Sequence, residues 1–158
     1  MGDTRHKRDV LESAAGHVVY ELRMWHWATV KLNEMNIVSP EVRDSPERNS
    51  VLECYLLHLR ILIEFFRSSN PRHDDVVASD YVSSWSSEEH FATLGEAWTA
   101  LNKRLTHLTA ECANVVAWPL AQQSWQEAHK AVGELWTRFE SALDEERRCW
   151  FHPELSSS

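Results

Sequence analysis

Apolar residues recur every three or four positions along most of this chain, and the pattern breaks at prolines and at clusters of polar residues. This periodicity predicts four long helices, near residues 4–36, 46–69, 87–110 and 119–149. Ser45 followed by Pro46 has the form of a helix N-cap and a first helical position. Ser86 and Glu89 have the spacing of a capping box before the third helix. Residues 72–86 are predicted to be an ordered connection containing a short helical turn.

The segment from Val51 to Arg67 is apolar on nearly every side, whereas the other three predicted helices are apolar on one side only. A helix of that kind is expected at the centre of a bundle, with the one-sided helices packed around it. The sequence therefore predicts an all-α protein, an antiparallel four-helix bundle with one domain over residues 1–155 and a disordered tail at 156–158.

Charge and cysteine content narrow the classes of partner. A formal charge of −8 opposes broad electrostatic attraction to nucleic acid, so we expect no DNA partner. The net charge does not exclude a local basic patch on the surface. Three cysteines without a CxxC spacing favour a reducing compartment. No apolar run has the length of a signal peptide core or a membrane span, so we expect a cytoplasmic protein without membrane contact.

Tryptophan is unusually frequent, with eight residues in the chain. Four one-sided helices of this length do not need so many indole rings for a single core. Surplus aromatic surface tends to be buried between chains. The composition therefore predicts a homodimer.

The central helix carries its polar residues in one stripe: Glu53, Arg60, Glu64 and Arg67. Arg60 and Glu64 stand four residues apart, and Glu64 and Arg67 stand three apart, so ion pairs along the stripe are expected. His58 lies off this stripe among apolar residues, which is typical of a satisfied core histidine rather than a ligand.

A second polar cluster lies on the predicted third helix, in the segment ALNKRLTHLT, which covers residues 100–109 and contains His107. If this helix packs against the central one, His107 approaches the charged stripe, and a histidine beside charged groups can act as a general acid or base. The candidate catalytic residues are His107, Arg104, Asn102, Glu64 and Arg60. The simpler alternative is a structural network, a partly buried histidine hydrogen-bonded to a carboxylate beside an interhelical ion pair.

Three segments, ECYLLHLRILIE, DDVVASDYV and NKRLTHLT, together resemble a group of small uncharacterised bacterial proteins and, more distantly, the HEPN (higher eukaryotes and prokaryotes nucleotide-binding) superfamily. The resemblance covers roughly residues 50–110. It implies a helical bundle that pairs with a second copy and works in an RNA-linked setting such as toxin–antitoxin or phage defence. Many HEPN domains are metal-independent ribonucleases whose arginine supports phosphate binding and whose histidine supports proton transfer.

His107 is similar to the HEPN histidine, but the motif's arginine has no counterpart. The positions at the required spacings are Ala100, Leu101 and Asn102. The favoured hypothesis is therefore a HEPN-like binding module for a nucleotide, RNA or an antitoxin-like protein partner. The alternative is a metal-independent ribonuclease that uses His107.

Metal binding is the third class of function considered. The chain lacks the HExxH and Glu-x-x-His spacings of helical metal sites, so no metal or cofactor is predicted. A three-histidine site assembled from His17 or His26, His58 and His107 stays open as a further alternative. For Asp74, Asp75 and Asp80, capping and solvation of a loop are favoured over chelation.

Trp25, His26 and Trp27 are consecutive in the first predicted helix and suggest a stacking platform for a base. Adjacent residues of a helix do not share a face, so at least one of the two indoles is expected to lie in the core or in an interface.

Overall fold

The computed structural model describes residues 5–38, 45–67, 70–106 and 123–154, with the side chains of 36–38, 103–106 and 123–125 excepted. No strand occurs in these residues, and the prediction of an all-α protein is confirmed. These residues form six helices, and a 3₁₀ turn at Glu88–His90 leads into the fourth of them. The helices are α1 (Arg8–Val38), α2 (Pro46–Arg67), α3 (Ala78–Tyr81), α4 (Phe91–Thr106), α5 (Gln123–Ala142) and α6 (Glu145–Phe151).

The start of α2 follows the sequence signal. The Ser45 hydroxyl accepts a hydrogen bond from the Arg48 N–H at 3.2 Å, and Pro46 is the first helical residue. This bond satisfies one of the N–H groups that a helix leaves without an internal partner at its first turn. The predicted start of the second helix is confirmed.

In the connection between α2 and α4, two aspartate side chains accept hydrogen bonds from backbone N–H groups three residues earlier. Asp75 accepts a hydrogen bond from the Arg72 N–H at 2.7 Å, and Asp80 accepts one from the Val77 N–H at 2.9 Å. Arg5 donates to the Asp80 carboxylate at 2.8 Å, which fastens the segment before α1 to α3. The predicted helical turn in this connection is confirmed, and the capping alternative accounts for Asp75 and Asp80.

The capping box predicted from Ser86 and Glu89 does not form. The Ser86 hydroxyl accepts from the Glu88 N–H at 3.3 Å, and the chain makes a 3₁₀ turn before α4 begins at Phe91. The Glu89 carboxylate accepts instead from the Arg138 guanidinium of α5. A tertiary ion pair has thus replaced the local bond that the spacing suggested.

The fourth predicted helix, 119–149, is divided within its described part. Asp144 interrupts it, because its carboxylate accepts from the Arg147 N–H at 2.8 Å and from the Arg147 side chain at 2.9 Å, the geometry of an N-cap. The chain therefore ends α5 at Ala142 and starts α6 at Glu145. The apolar period continues through buried Leu143, which is why periodicity alone predicted one helix.

The core is organised around α2, which contacts α1, α3, α4 and α5. Eleven of its residues are buried, among them Leu59, Leu62 and Ile63 without any solvent exposure. Next to its C-terminal half lies an aromatic cluster centred on Phe139 of α5. The predicted central position of this helix agrees with these contacts.

The indole rings mostly pack within the chain. Of the six tryptophans whose side chains are described, Trp25 is buried, four are half-buried and Trp27 alone is exposed. The prediction that Trp25 and Trp27 cannot both face outward is confirmed. None of the described helices has the length and apolar character needed to cross a membrane. The loop around Asn114 and the tail at 156–158 lie outside the described residues.

Candidate functional site

The seam between α2 and α4 holds an arginine against two aromatic rings. The Arg67 guanidinium carbon lies 4.6 Å from the centre of the Phe91 ring and 5.9 Å from that of Trp98. Phe91 and Trp98 stand seven residues apart on α4 and therefore share a face, while Arg67 ends α2. A guanidinium at these distances is attracted by the negative face of each ring.

Gly95 makes room for this arrangement. A Cβ atom at that position would lie 3.3 Å from Arg67 Nη2 and 3.5 Å from its guanidinium carbon. Contacts that short would push the guanidinium outward, so the absence of a side chain on α4 lets the arginine lie flat. The seam therefore depends on a glycine within a helix that otherwise favours larger residues.

Arg67 has no polar partner in the described part of the chain. Its Nε is buried there without a hydrogen bond, and no ion pair reaches its guanidinium. The same is true of Arg60, which lies two turns earlier on the same side of α2 and whose Nε is also buried without a partner. Buried N–H groups of a cation attract acceptors strongly, because leaving such a donor unsatisfied costs about 1–3 kcal/mol or more.

The structure corrects the predicted ion pair between Arg60 and Glu64. Glu64 is exposed and Arg60 is half-buried, and no salt bridge joins them among the described residues. The four-residue spacing brings two side chains within reach, but a carboxylate in water gains little from such a pair. The Arg60 side chain is partly buried, whereas the Glu64 carboxylate stays exposed to water.

Of the other three predicted catalytic residues, the structure describes only Asn102 with its side chain. Asn102 is half-buried on α4, and Arg104 belongs to the same helix although its side chain is outside the described set. His107 lies beyond the described residues altogether. The geometry of a His107-centred acid–base site therefore stays a prediction.

Away from the seam, Glu21 of α1 and His58 of α2 form a polar contact between these two helices. His58 is buried, and its Nδ1 lies 2.5 Å from a Glu21 carboxylate oxygen. The edge of the half-exposed Tyr20 ring meets the imidazole with centroids 5.9 Å apart. Nearby, burial and the Glu21 charge raise the pKa of the Cys54 thiol, which disfavours the nucleophilic thiolate. His58 is thus a satisfied core histidine, as the sequence suggested.

A third cluster joins α5 to α1 and α2. Tyr55 Oη lies 3.1 Å from His129 Nδ1, and the Trp25 ring centre lies 4.5 Å from that of His129. Burial raises the pKa of Tyr55 to about 12, so the phenol keeps its proton and can donate it to the imidazole. Burial, and secondarily the charge of His26, lowers the pKa of His129. This cluster favours a neutral imidazole that accepts a hydrogen bond from the tyrosine.

We expect stability to fall when His129 is forced to take a proton. Its pKa in the folded state lies below the ordinary value of 6.5, so the unfolded chain binds more protons in the window between the two values. The contribution of His129 is complete above pH 6.5 and is lost as the pH falls from there to the lowered pKa. Urea unfolding of wild type and His129→Gln at several pH values tests this, because glutamine accepts the tyrosine bond without titrating.

The control for that experiment is His73→Gln, since the His73 side chain is 96% exposed. We expect this variant to keep the wild-type pH dependence and His129→Gln to flatten it. Equal slopes for His129→Gln and wild type between pH 5 and 7 would contradict the assignment to His129.

No group of three or more histidine, cysteine or carboxylate side chains suited to a metal ion is found in the described parts of the chain. His58 is engaged by Glu21, and His107 of the proposed three-histidine set is outside those parts. The metal alternative gains no support from these residues.

Sequence reasoning missed Glu21, His129 and the two rings of the seam. Glu21 carried a signal, because it is an acidic residue among apolar residues at helical spacing in the first predicted helix: Val18, Val19, Leu22 and Trp25. The pair of Phe91 and Trp98 at a seven-residue spacing was also visible. Nothing in the sequence alone placed either set opposite its partner on another helix.

Comparisons with known proteins add no further assignment: no family model matches the chain, and no curated protein or solved structure shows significant similarity to it.

Proposed function

We propose that this protein is a HEPN-like cytoplasmic binding module that takes a phosphate-bearing ligand, a nucleotide or single-stranded RNA, on the seam between α2 and α4. The observation that carries the proposal is the Arg67 guanidinium, held between two rings and lacking a polar partner among the described residues. A guanidinium that is held in place by two rings and has no anionic partner can bind an anionic group of a ligand.

The chemistry of the seam fits a nucleotide. Guanidinium presents a planar set of donors that matches two phosphate oxygens at once, and it binds phosphate without losing its contact with an aromatic face. The Phe91 ring is 40% exposed, so a base can stack on it beside the arginine. Stacking of this kind accepts any base, since every base has a π face.

The antiparallel four-helix bundle extends the seam as a basic strip. A Cβ at Gly95 of α4 would lie 3.3 Å from Arg67 Nη2, so seven residues back along α2 from Arg67 correspond to about seven residues forward along α4 from Gly95. Arg60 then lies level with Asn102, next to Lys103 and Arg104 in the sequence. An otherwise acidic protein would thus hold a local cationic strip long enough for more than one phosphate.

Binding is favoured over cleavage because the arginine that HEPN ribonucleases place ahead of the histidine is absent at 100–102. Cleavage by His107 is the second candidate, and it needs that residue to reach the scissile phosphate. An antitoxin-like protein partner is the outcome favoured if neither RNA nor nucleotides bind.

Arg67→Gln should weaken binding of a fluorescently labelled single-stranded RNA about tenfold, because a charge-assisted phosphate contact is lost. The logarithmic salt dependence of the affinity should also become less steep by about 0.7. Fluorescence anisotropy at several salt concentrations measures both quantities.

The matched control is Arg138→Gln. Arg138 also lies over an aromatic ring, 4.7 Å from the centre of Trp85, but its guanidinium is already paired with Glu89. Removing it takes away the same charge, and binding should change little. Equal weakening in both variants would indicate a loss of general charge rather than a site at Arg67.

Two further measurements separate the alternatives. Competition by a mononucleotide would place a single nucleotide on the seam, whereas competition by RNA alone would require several phosphates. Cleavage of the RNA in EDTA that disappears in His107→Ala would establish the ribonuclease alternative. Wild-type affinity in Arg67→Gln would refute the proposed site.

A further inference from the structure

Four consecutive basic residues, Arg5, His6, Lys7 and Arg8, lead into α1 of a chain whose formal charge is −8. No other four consecutive residues of the chain are all basic. Cations at the start of a helix oppose its dipole, so this run does not serve to stabilise α1. Lys7 and Arg8 are exposed, whereas the side chains of Arg5 and His6 are 28% and 11% exposed. Part of the run therefore faces water, and part of it is held against the protein.

Arg5 is held by oxygen atoms of the connection between α2 and α4. Its Nη1 donates to the Arg72 carbonyl at 2.9 Å. Its Nη2 donates to the Asp75 carbonyl at 2.5 Å and to the Asp80 carboxylate at 2.8 Å. His6 Nε2 lies 2.8 Å from the same Asp75 carbonyl. Three acceptors from one short segment thus converge on a single guanidinium, whose several N–H groups can satisfy them together.

The Asp80 carboxylate depends on this arginine. The Asp80 side chain is only 8% exposed, and Arg5 supplies its close ion pair. Without Arg5, a buried negative charge would be left uncompensated, which is strongly unfavourable unless water reaches it. Asp80 belongs to α3, whose four residues are too few for a helix that is stable by itself. Opening of α3 is therefore the easiest way to hydrate the carboxylate once Arg5 has left.

Such an opening would stay local. α3 packs on the aromatic cluster through Tyr81, whose ring centre lies 6.0 Å from that of Phe139. The helix beneath it, α2, also packs against α1, α4 and α5, so the rest of the core does not require α3. Elements of this kind open at a lower free energy than the core that carries them.

We propose that residues 5–8 form a basic arm that binds a linear run of phosphates, and that this binding draws Arg5 off Asp80 and opens α3. A polyanion first meets Lys7 and Arg8, because the ion pair of Arg8 with Glu146 is itself 69% and 55% exposed and therefore weak. It gains Arg5 only when the arm is released, so it binds the open state more tightly and shifts the population toward that state. The arm contains no aromatic residue and therefore recognises phosphates rather than bases. It does not depend on the ligand of the α2–α4 seam.

Hydrogen exchange of the full chain, measured by NMR with and without inorganic polyphosphate, tests the arm. The amides of Asp80 and Val82 report on α3, because they donate to the Val77 and Ala78 carbonyls at 2.9 and 3.0 Å. Polyphosphate should speed their exchange about tenfold or more and leave the amides in the middle of α2 unchanged. Arg5→Gln should give a similar increase without polyphosphate, and polyphosphate should then add little.

Two other variants serve as controls. Lys31→Gln also removes a positive charge from α1, but its partner Glu34 lies on the same helix at 2.7 Å, so α3 should behave as in wild type. Lys7→Gln should leave α3 closed in the absence of polyphosphate. It should raise the polyphosphate concentration needed to open α3, because Lys7 binds the ligand without holding the helix.

Single-stranded RNA with an equal number of phosphates distinguishes the source of the phosphate run. Opening by both ligands supports recognition of any such run, and opening by polyphosphate alone supports an inorganic ligand. Arg67→Gln should respond to polyphosphate as wild type does, since the arm is separate from the seam. Unchanged exchange of Asp80 and Val82 with polyphosphate, or loss of the response in Arg67→Gln, would overturn the proposal. Faster exchange throughout α2 in Arg5→Gln would overturn it as well.

Discussion

Phe139→Ala should lower the free energy of unfolding by about 3–5 kcal/mol. Phe139 has no solvent exposure, and its ring is the centre of the aromatic cluster that joins α5 to α2, α3 and α6. Six rings have centroids between 5.2 and 6.0 Å from it, in mostly edge-to-face arrangements: Phe65, Phe66, Tyr81, Trp85, Trp136 and Phe151. Truncation removes the buried ring and leaves a cavity whose rigid aromatic walls cannot collapse.

Chemical denaturation of the two phenylalanine variants Phe139→Ala and Phe91→Ala provides the measurement and its control. Phe91 is 40% exposed and its ring contacts the Arg67 guanidinium, so the same truncation there should cost only about 1 kcal/mol. Similar losses in both variants would show that the cluster around Phe139 does not hold the helices together as described.

Glu21→Ala should destabilise the protein by about 1–3 kcal/mol, because it leaves the His58 imidazole buried without an acceptor. The two side chains are 17% and 8% exposed, and their 2.5 Å contact is the polar link between the middle of α1 and the middle of α2. Water reaches such a site poorly, so the lost bond is not readily replaced.

Glu21→Gln is the conservative control, since its carboxamide oxygen can still accept from His58. It should retain most of the stability. Replacing both partners with leucine should cost much less than Glu21→Ala alone, because no polar group is then stranded. If the double variant is as unstable as Glu21→Ala, packing at these positions matters more than the hydrogen bond.

Local signals in the sequence were sufficient where the structure depends on neighbouring residues. The serine and proline at 45 and 46 predicted the start of α2 because an N-cap needs only a hydroxyl and the N–H groups of the next turn. Asp144 carried an equally local signal, but the apolar period continued through Leu143 and concealed it. Periodicity reports which side of a helix is buried and is insensitive to a one-residue break.

Contacts between distant segments could not be predicted in the same way. Glu89 has the spacing of a capping residue, yet it pairs with Arg138 because α5 passes beside it. Arg60 and Glu64 have the spacing of an ion pair, yet Arg60 is half-buried and Glu64 is exposed to water. In both cases the spacing allowed a bond, and the surroundings decided whether it formed.

The sequence by itself determined that the protein is helical, that α2 is its central helix, and that at least one of Trp25 and Trp27 is not on the outer surface. These properties follow from a 3.6-residue period and from the free energy of burying apolar surface, both of which are carried by residues close together in the chain. Only the tertiary structure decided that Arg67 lies against Phe91 and Trp98, that Glu21 meets His58, and that Tyr20 and Trp27 stay about half exposed. Each of these depends on which helix face lies opposite, and that is set by the packing of the whole core rather than by any single segment.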